Sequence, residues 1–363
     1  MPFTLRALQA TPVLVPLNNP VRTASGTITE APLLLLDLLT DVDGQAGPTG
    51  RAYLFTYTPL VLKPLASLVE AMAVALVRVE CAPVAIQAAL QARFRLLGYT
   101  GLVGMALAGL DMATWDALAK RAGLPLVRLL GGQPRGVPAY FSQGMDGLEG
   151  SVRLAEQAVE RGFKAMKIKI GYPTVEQDIS VIRAVQQTLG PQRSLMVDYN
   201  QSLSMAEAQR RLPRLDDLGL AWVEEPVLQD DPHGHAQLRD ETKTPIQLGE
   251  NWYGLAEMAH AVRARACDLV MPDLMKIGGV TGWQQAAHLA AAHRLPMSNH
   301  IFHETSVHLL GATPTAHWLE YLPLADPALE QPLVVTDGLA APSERPGAGI
   351  EWNLDAVRRM RVD

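Results

Sequence analysis

Three acidic residues, Asp198, Glu224 and Glu250, close the apolar runs LMVD, AWVE and IQLGE, with 26 positions between each and the next. If each run is a strand, the carboxylates leave neighbouring strand ends, and adjacent strands lie ~4.8 Å apart. Carboxylates that close repel one another unless a cation neutralises them. An all-oxygen set favours Mg²⁺, with Mn²⁺ as a substitute, and three protein ligands leave positions for water or substrate. One such acid reads as a solvated surface group; three in register read as metal ligands.

Basic groups stand around this set. Lys167 and Lys169 flank Ile168 in AMKIK, so in a strand both ammonium groups share a face. Like-charge repulsion is expected to lower both pKa values and to give a base useful near neutral pH. His300 ends PMSNH and Asp273 ends LVMPD; an aspartate one strand away holds an imidazole in one tautomer and raises its basicity. Glu320, at the end of HWLE, is expected to stay protonated and to donate a hydrogen bond. Asn200 shares a face with Asp198 and is a candidate for contact with a substrate hydroxyl. A lysine and a histidine facing each other across a bound carboxylate can work on opposite faces of one carbon. That is a 1,1-proton transfer, with the cation, Lys167 and Glu320 sharing the charge of the enolate. His303, His308 and His317 are assigned to packing or solvent, because HETSVH departs from the HExxH zinc pattern.

The elements that must position these groups repeat. Seven apolar runs end at Lys169, Asp198, Glu224, Glu250, Asp273, His300 and Glu320, at gaps of 29, 26, 26, 23, 27 and 20 residues. Each gap holds about one strand, one loop and one helix, which predicts an α/β chain folded as a (β/α) barrel with its site at the carboxyl ends of the strands. PAYFS, 138–142, supplies a first strand and makes eight. Helices are expected over 149–162, 175–190, 204–219, 254–266 and 280–294, the third opening on Ser204 and Glu207 in capping-box spacing and broken at Pro213. Residues 1–130 read as a separate α+β domain: strands across 3–56 with turns at NNP and DVDGQAG, then helices near 59–78, 83–97 and 101–122. The barrel is expected over 131–323, and the proline-rich segment 324–363 is expected to return to the first domain.

Composition narrows the classes. The chain has 363 residues, 48% of them hydrophobic and 19% charged, with net charge -6. It carries no basic footprint for nucleic acid. The low charged fraction suits a large buried core and a homo-oligomer. No basic stretch precedes a long apolar run at the amino terminus, and APLLLLDLL is too short to span a bilayer. A cytoplasmic protein without a membrane partner is the expectation. Cys81 and Cys267 are read as buried free thiols.

The motifs MKIKIGYP, VDYNQSL, EEP, GENW, MPDLMKIGGVTGW, SNHIF and TAHWLE resemble those of the mandelate racemase family of the enolase superfamily. The likeness runs to about residue 330 and includes PVRTASGTITEAP and AYLFTYTP in the first domain. It implies an α+β capping domain over a (β/α)₇β TIM-type barrel, one Mg²⁺ and an octamer. By matching position, Asp198, Glu224 and Glu250 would be the metal ligands, Lys169 the base for one enantiomer, and His300 with Asp273 the base for the other. Lys167, Asn200 and Glu320 would hold the substrate, and Ser142 falls in the corresponding first-strand segment. The resemblance further implies that a loop at 21–30 closes over the substrate, with Val21, Ile28, Phe55, Tyr57, Ile301 and Leu322 lining an apolar pocket. Gln143-Gly144 departs from the family's His-Ser pair, and Arg22, Thr29 and Glu30 are more polar than a mandelate pocket asks.

The expected activity is Mg²⁺-dependent racemisation of a 2-hydroxy carboxylate, mandelate or a related aryl acid. The rival is an acid-sugar dehydratase on the same scaffold, with Arg22 and Glu30 binding hydroxyls. The apolar positions count against it, since buried hydroxyls need polar partners. A non-catalytic binding protein with a vestigial site is the third reading, and an intact set of bases and ligands weighs against that one.

Overall fold

The computed structural model describes residues 2–23 and 26–362. Leu33, Leu34, Leu35 and Leu36 form an unbroken buried run. They lie on the central strand Gly26–Val42, which pairs antiparallel with Phe3–Thr23 on one side and Gly50–Phe55 on the other. A strand covered on both faces does not need to alternate apolar with polar residues. The helices Leu62–Val74, Pro83–Arg93 and Gly101–Ala122 complete the capping domain. Gly101–Ala122 is long and apolar enough to cross a membrane, but most of it is buried inside the protein. Its last turn closes on Gly123 at φ 68°, a left-handed cap that glycine adopts at low cost.

Two expectations for this domain fail. The NNP segment is no turn; it lies inside the strand Phe3–Thr23, where the pairing shifts register between Pro16 and Val21. Nor is 21–30 a loop. Val21 pairs with Ile28, Arg22 with Thr27 and Thr23 with Gly26, so the segment is the far end of a long hairpin. Ala24 and Ser25 lie outside the described residues.

The barrel strands Val137–Ser142, Ala165–Lys169, Ser194–Asp198, Val223–Glu224, Ile246–Leu248 and Leu269–Val270 pair in parallel in chain order. Leu319–Tyr321 closes the ring on the first strand. The seventh position, read from PMSNH, is held only by single bridges, Met297 to Val270 and Ala316, and His300 to Asp273. Among the described residues, one helix follows each of the first seven positions, which makes a (β/α)₇β barrel. Two of these helices escaped sequence reading: Pro232–Glu241, whose exposed face is nearly all polar, and His303–Leu310, buried on every side. Pro213 does split its helix, which ends at Arg211 before a 3₁₀ turn, and Ser204 accepts from the Glu207 N–H at 3.3 Å.

The carboxyl-terminal segment touches both domains. Leu339–Ala340 pairs antiparallel with the start of the first barrel strand. Trp352 donates to Asp37 at 3.2 Å, and the Val362 N–H donates to the Pro12 carbonyl at 3.1 Å. Cys81 and Cys267 are free and buried.

Asp111 joins cap to barrel. From the middle of Gly101–Ala122 it accepts the Thr281 hydroxyl at 2.5 Å and the Thr281 N–H at 3.0 Å, on the barrel helix Gly279–Ala292. Gly279, at φ 71°, lies so close to the Asp111 carboxyl that no β-carbon fits between them. Burial pushes Asp111 up to about 7 from the ordinary 3.8, against the pull of its Thr281 hydrogen bonds. A carboxyl that binds its proton more tightly folded than unfolded loses stability as pH rises from the unfolded to the folded value. Between pH 4 and 7 the thermal midpoint of the wild type should therefore carry a falling component, worth on the order of a few kcal/mol at most. Asp111→Asn should flatten it in a pH series of melting curves; parallel profiles for the two proteins would refute the assignment.

Candidate active site

Strand register places the acids side by side. Lys169 pairs with Asp198 across the second and third strands, and Asp198 with Glu224 across the third and fourth. Glu250 lies two residues past the fifth strand, beyond Gly249 at φ 140°, whose absent β-carbon would collide with the Met271 backbone. One oxygen from each of Asp198, Glu224 and Glu250 lies within 4.8 Å of the others, and all three residues are buried.

Each carboxylate is held from behind. Asp198 accepts the Asn200 N–H at 2.5 Å. Glu224 accepts Trp222 Nε1 and Gln247 Nε2, both at 3.1 Å. Glu250 accepts Asn251 Nδ2 at 3.3 Å and Asn200 Nδ2 at 3.4 Å on Oε1, while its Oε2 is buried with no hydrogen-bond partner. Burial pushes Glu224 up to about 8; the neighbouring Asp198 and Glu250 charges add to this, and Lys167 opposes it. Three converging oxygen ligands, one of them orphaned, in a cluster that resists carrying its full charge, fit a hard divalent cation.

The lysines differ from expectation. Burial alone would lower both, as would their mutual repulsion, but the carboxylates win and both are raised. Lys167 Nζ lies 2.5 Å from Glu224 and 2.9 Å from Glu320, and Lys169 is paired with Asp198. Lys167 is only 1% exposed and sits beneath the cavity instead of lining it. Its charge can act on a substrate only through short-range electrostatics. Lys169 reaches the cavity wall.

His300 Nδ1 lies 2.7 Å from Asp273 Oδ2, and its Nε2 lies 3.4 Å from Glu250. Burial lowers the imidazole, but Glu250 and Asp273 outweigh it and hold His300 above its ordinary value. The strands bearing Asp198, Glu224 and Glu250 lie between those of Lys169 and His300 around the ring. Glu320 is not kept protonated. Burial would raise it, but Lys167 and His300 bring it down to about 2. It accepts Ser142 Oγ at 2.7 Å and the Ile301 N–H at 2.8 Å.

A cavity of about 400 Å³ opens over these groups. Val21, Ile28, Phe55, Tyr57, Ile301 and Leu322 line one part of it; Ser142, Lys169, Asn200, Glu250, His300 and Glu320 line another. Gln143, Gln201 and Asn251 also face it, and sequence reading assigned them no role. Asn251 stands in the GENW motif beside Glu250, so a signal for it existed. Arg22 and Glu30 do not line the cavity: Arg22 is paired with Asp146, and Glu30 is exposed. Backbone strain gathers at the rim. Asn200, Gln201, Glu225, Ile301 and Phe302 all take positive φ, and at 38° Ile301 is an outlier for a β-branched residue. Hydrogen bonds hold it there: its N–H to Glu320, and its carbonyl accepting Asn299 Nδ2 at 2.7 Å.

Comparison with known proteins agrees with this architecture. Among curated proteins, the L-talarate/galactarate dehydratase of Salmonella typhimurium is 34% identical over 72% of this chain and 67% of its own length. A solved enolase from Bradyrhizobium, complexed with magnesium and mandelic acid, superimposes with TM-score 0.96 at 46% identity, covering 100% of this chain and 99% of that one. The L-talarate dehydratase of Polaromonas sp. JS666, complexed with magnesium and L-glucarate, gives TM-score 0.88 at 29% identity over 99% of this chain and 98% of its own. Residues 6–131 match the mandelate racemase / muconate lactonizing enzyme N-terminal domain, and residues 150–356 match the enolase C-terminal domain-like family. With its capping sheet, its closed barrel and three acids on consecutive strand ends, the chain belongs to the mandelate racemase/muconate lactonizing enzyme family of the enolase superfamily.

Proposed function

We propose that this enzyme racemises a 2-hydroxy carboxylate carrying an aryl or other apolar group, with mandelate as the first substrate to try. The observation that carries the reading is the pair of bases: Lys169 and the Asp273-held His300, on strands either side of the acidic cluster, both facing a half-apolar cavity. The Bradyrhizobium structure with mandelic acid supports the choice of ligand.

Asp198, Glu224 and Glu250 would hold Mg²⁺, which when bound stabilises negative charge developing on the substrate carboxylate. The protein's own groups do the rest. Neutral Lys169 takes the α-proton from one face, and the His300 imidazolium returns a proton through Nε2 to the other; the reverse reaction exchanges their roles. Asp273 keeps Nδ1 engaged, so Nε2 is the nitrogen that trades protons. Asp198 holds Lys169 charged and also belongs to the acidic cluster. Neutralising that cluster therefore moves the lysine toward the range in which it accepts a proton. Lys167, fixed between Glu224 and Glu320, keeps a positive charge beneath the developing enolate.

Acid-sugar dehydration is the second reading. It draws support from the talarate/galactarate relative and from Gln143, Asn200 and Asn251 on the cavity wall. The engagement of Arg22 by Asp146 and the exposure of Glu30 remove two of the polar partners a sugar would need.

In D₂O with Mg²⁺, both enantiomers of mandelate should lose their α-proton NMR signal while optical rotation decays. A keto-acid product from an acid sugar, with mandelate inert, would instead favour dehydration. Lys169→Ala should cut exchange from one enantiomer by roughly 10²–10⁴ and His300→Asn from the other; equal losses from both enantiomers in each variant would rule out two-sided chemistry.

The hairpin end supplies another test. The Arg22 carbonyl accepts the Met145 N–H at 2.8 Å, and a β-carbon on Gly144 would meet Arg22 N at 2.5 Å and O at 2.7 Å. Gly144→Ala should lift the hairpin from the barrel rim and raise KM several-fold, with a smaller change in kcat. An unchanged KM would mean that the hairpin does not cover the substrate.

A further inference from the structure

Beside the active site, and separate from it, lies a second convergence of metal-ligating groups. His303 and Glu304 open the helix His303–Leu310, and Asp326 opens a 3₁₀ turn in the carboxyl-terminal segment. His303 Nε2, one oxygen of Glu304 and one of Asp326 all lie within 4.8 Å of one another. His303 is 0% exposed and Glu304 6%. Sequence reading left His303 to packing or solvent; the structure buries it between two acids.

His303 Nε2 faces both acids, in a geometry that also suits a bound cation. Nε2 lies 3.2 Å from Glu304 Oε1 and 3.3 Å from Asp326 Oδ1. It makes a hydrogen bond to neither, and both oxygens are without hydrogen-bond partners. A single N–H shared between two acceptors is a weakened bond to each. Two ligands each ~2.0–2.1 Å from a tetrahedral ion would sit about 3.3–3.4 Å apart, which is the spacing found. The outer oxygens are already fixed: Tyr53 donates to Glu304 Oε2 at 2.8 Å, and Tyr321 donates to Asp326 Oδ2 at 3.1 Å. Hydrogen bonds of that kind orient carboxylate ligands in metal centres. The Arg161 guanidinium lies over the Tyr321 ring, 5.1 Å from its centroid. Among the described residues, the ion pairs of Glu304 and Asp326 run to His303 alone.

We propose that His303, Glu304 and Asp326 form a second metal site, selective for Zn²⁺ over Mg²⁺. An imidazole with two carboxylates suits a borderline cation, whereas the all-oxygen set of Asp198, Glu224 and Glu250 suits a hard one. The site would be structural. Tyr53 belongs to the capping sheet, His303 and Glu304 to the barrel and Asp326 to the terminal segment, so one ion there ties three parts of the chain together.

The test is metal content in excess Mg²⁺. Chelator-stripped protein is saturated with Mg²⁺, incubated with Zn²⁺, desalted and measured by mass spectrometry of the metals. Wild type should retain one Zn²⁺ per chain. His303→Gln and Asp326→Asn should each weaken retention at least tenfold, and Tyr53→Phe roughly 10- to 100-fold. The double variant Asp198→Asn/Glu250→Gln should retain Zn²⁺ as wild type does. With Co²⁺ in place of Zn²⁺, visible absorption should appear in wild type and be lost in Asp326→Asn, which serves as the decisive variant if His303→Gln does not fold. Absence of retained Zn²⁺ in wild type, or its loss only in the Asp198/Glu250 double variant, would overturn the proposal.

Discussion

Electrostatic repulsion among three buried carboxylates organises the rest of this molecule. Asp198, Glu224 and Glu250 are pressed together by strand register, not by attraction for one another. Buried charge of one sign is costly and must be compensated within a few ångströms. The compensation comes from Lys167, Lys169 and His300; of these, Lys169 and His300 reach the cavity wall, and Lys167 lies beneath it. The bases of the proposed reaction and the counter-charges of the acidic cluster are thus the same side chains. This explains why the lysines are raised, not lowered, and why Glu320 is ionised. A lysine pair read by itself predicts repulsion; the same pair set among four acids is dominated by attraction.

The capping domain supplies what the barrel lacks. The barrel mouth is a ring of charge, and the apolar wall of the cavity comes largely from Val21, Ile28, Phe55 and Tyr57 of the cap. Asp111 and Thr281 fix how the two units meet, and Tyr53 reaches Glu304 from the other side. Under the proposed function, the reacting groups and most of the apolar wall therefore come from different domains, joined by a few buried polar contacts.

Much of this was legible in the sequence, for a physical reason. Barrel strands are short and buried, so they appear as apolar runs, and an ionisable residue comes where each run stops. The near-constant interval between stops carried the topology. What failed was whatever lacked a local signature. Among the described residues, position seven is held by three single bridges and no ladder. The helix at His303–Leu310 is buried all round and has no amphipathic stripe to announce it. Asn18, Asn19 and Pro20 read as a turn because they are turn residues, although strand pairing on either side overrides them, and the loop at 21–30 is implied by the resemblance alone. Protonation states were the least legible of all, since they depend on neighbours far away in the chain.

The hairpin has one more implication, for how such a pocket can diversify. Val21 and Ile28 reach the cavity as a cross-strand pair, at the end of a ladder anchored in the cap between Phe3 and Val42. Side chains along a strand alternate between faces, so inserting a single residue between that anchor and the tip would turn Val21 and Ile28 away from the cavity. Changes of length that preserve the face must come in twos, or be absorbed at the irregularity between Pro16 and Val21. A change taken up at that slack point would leave Val21 and Ile28 facing the cavity.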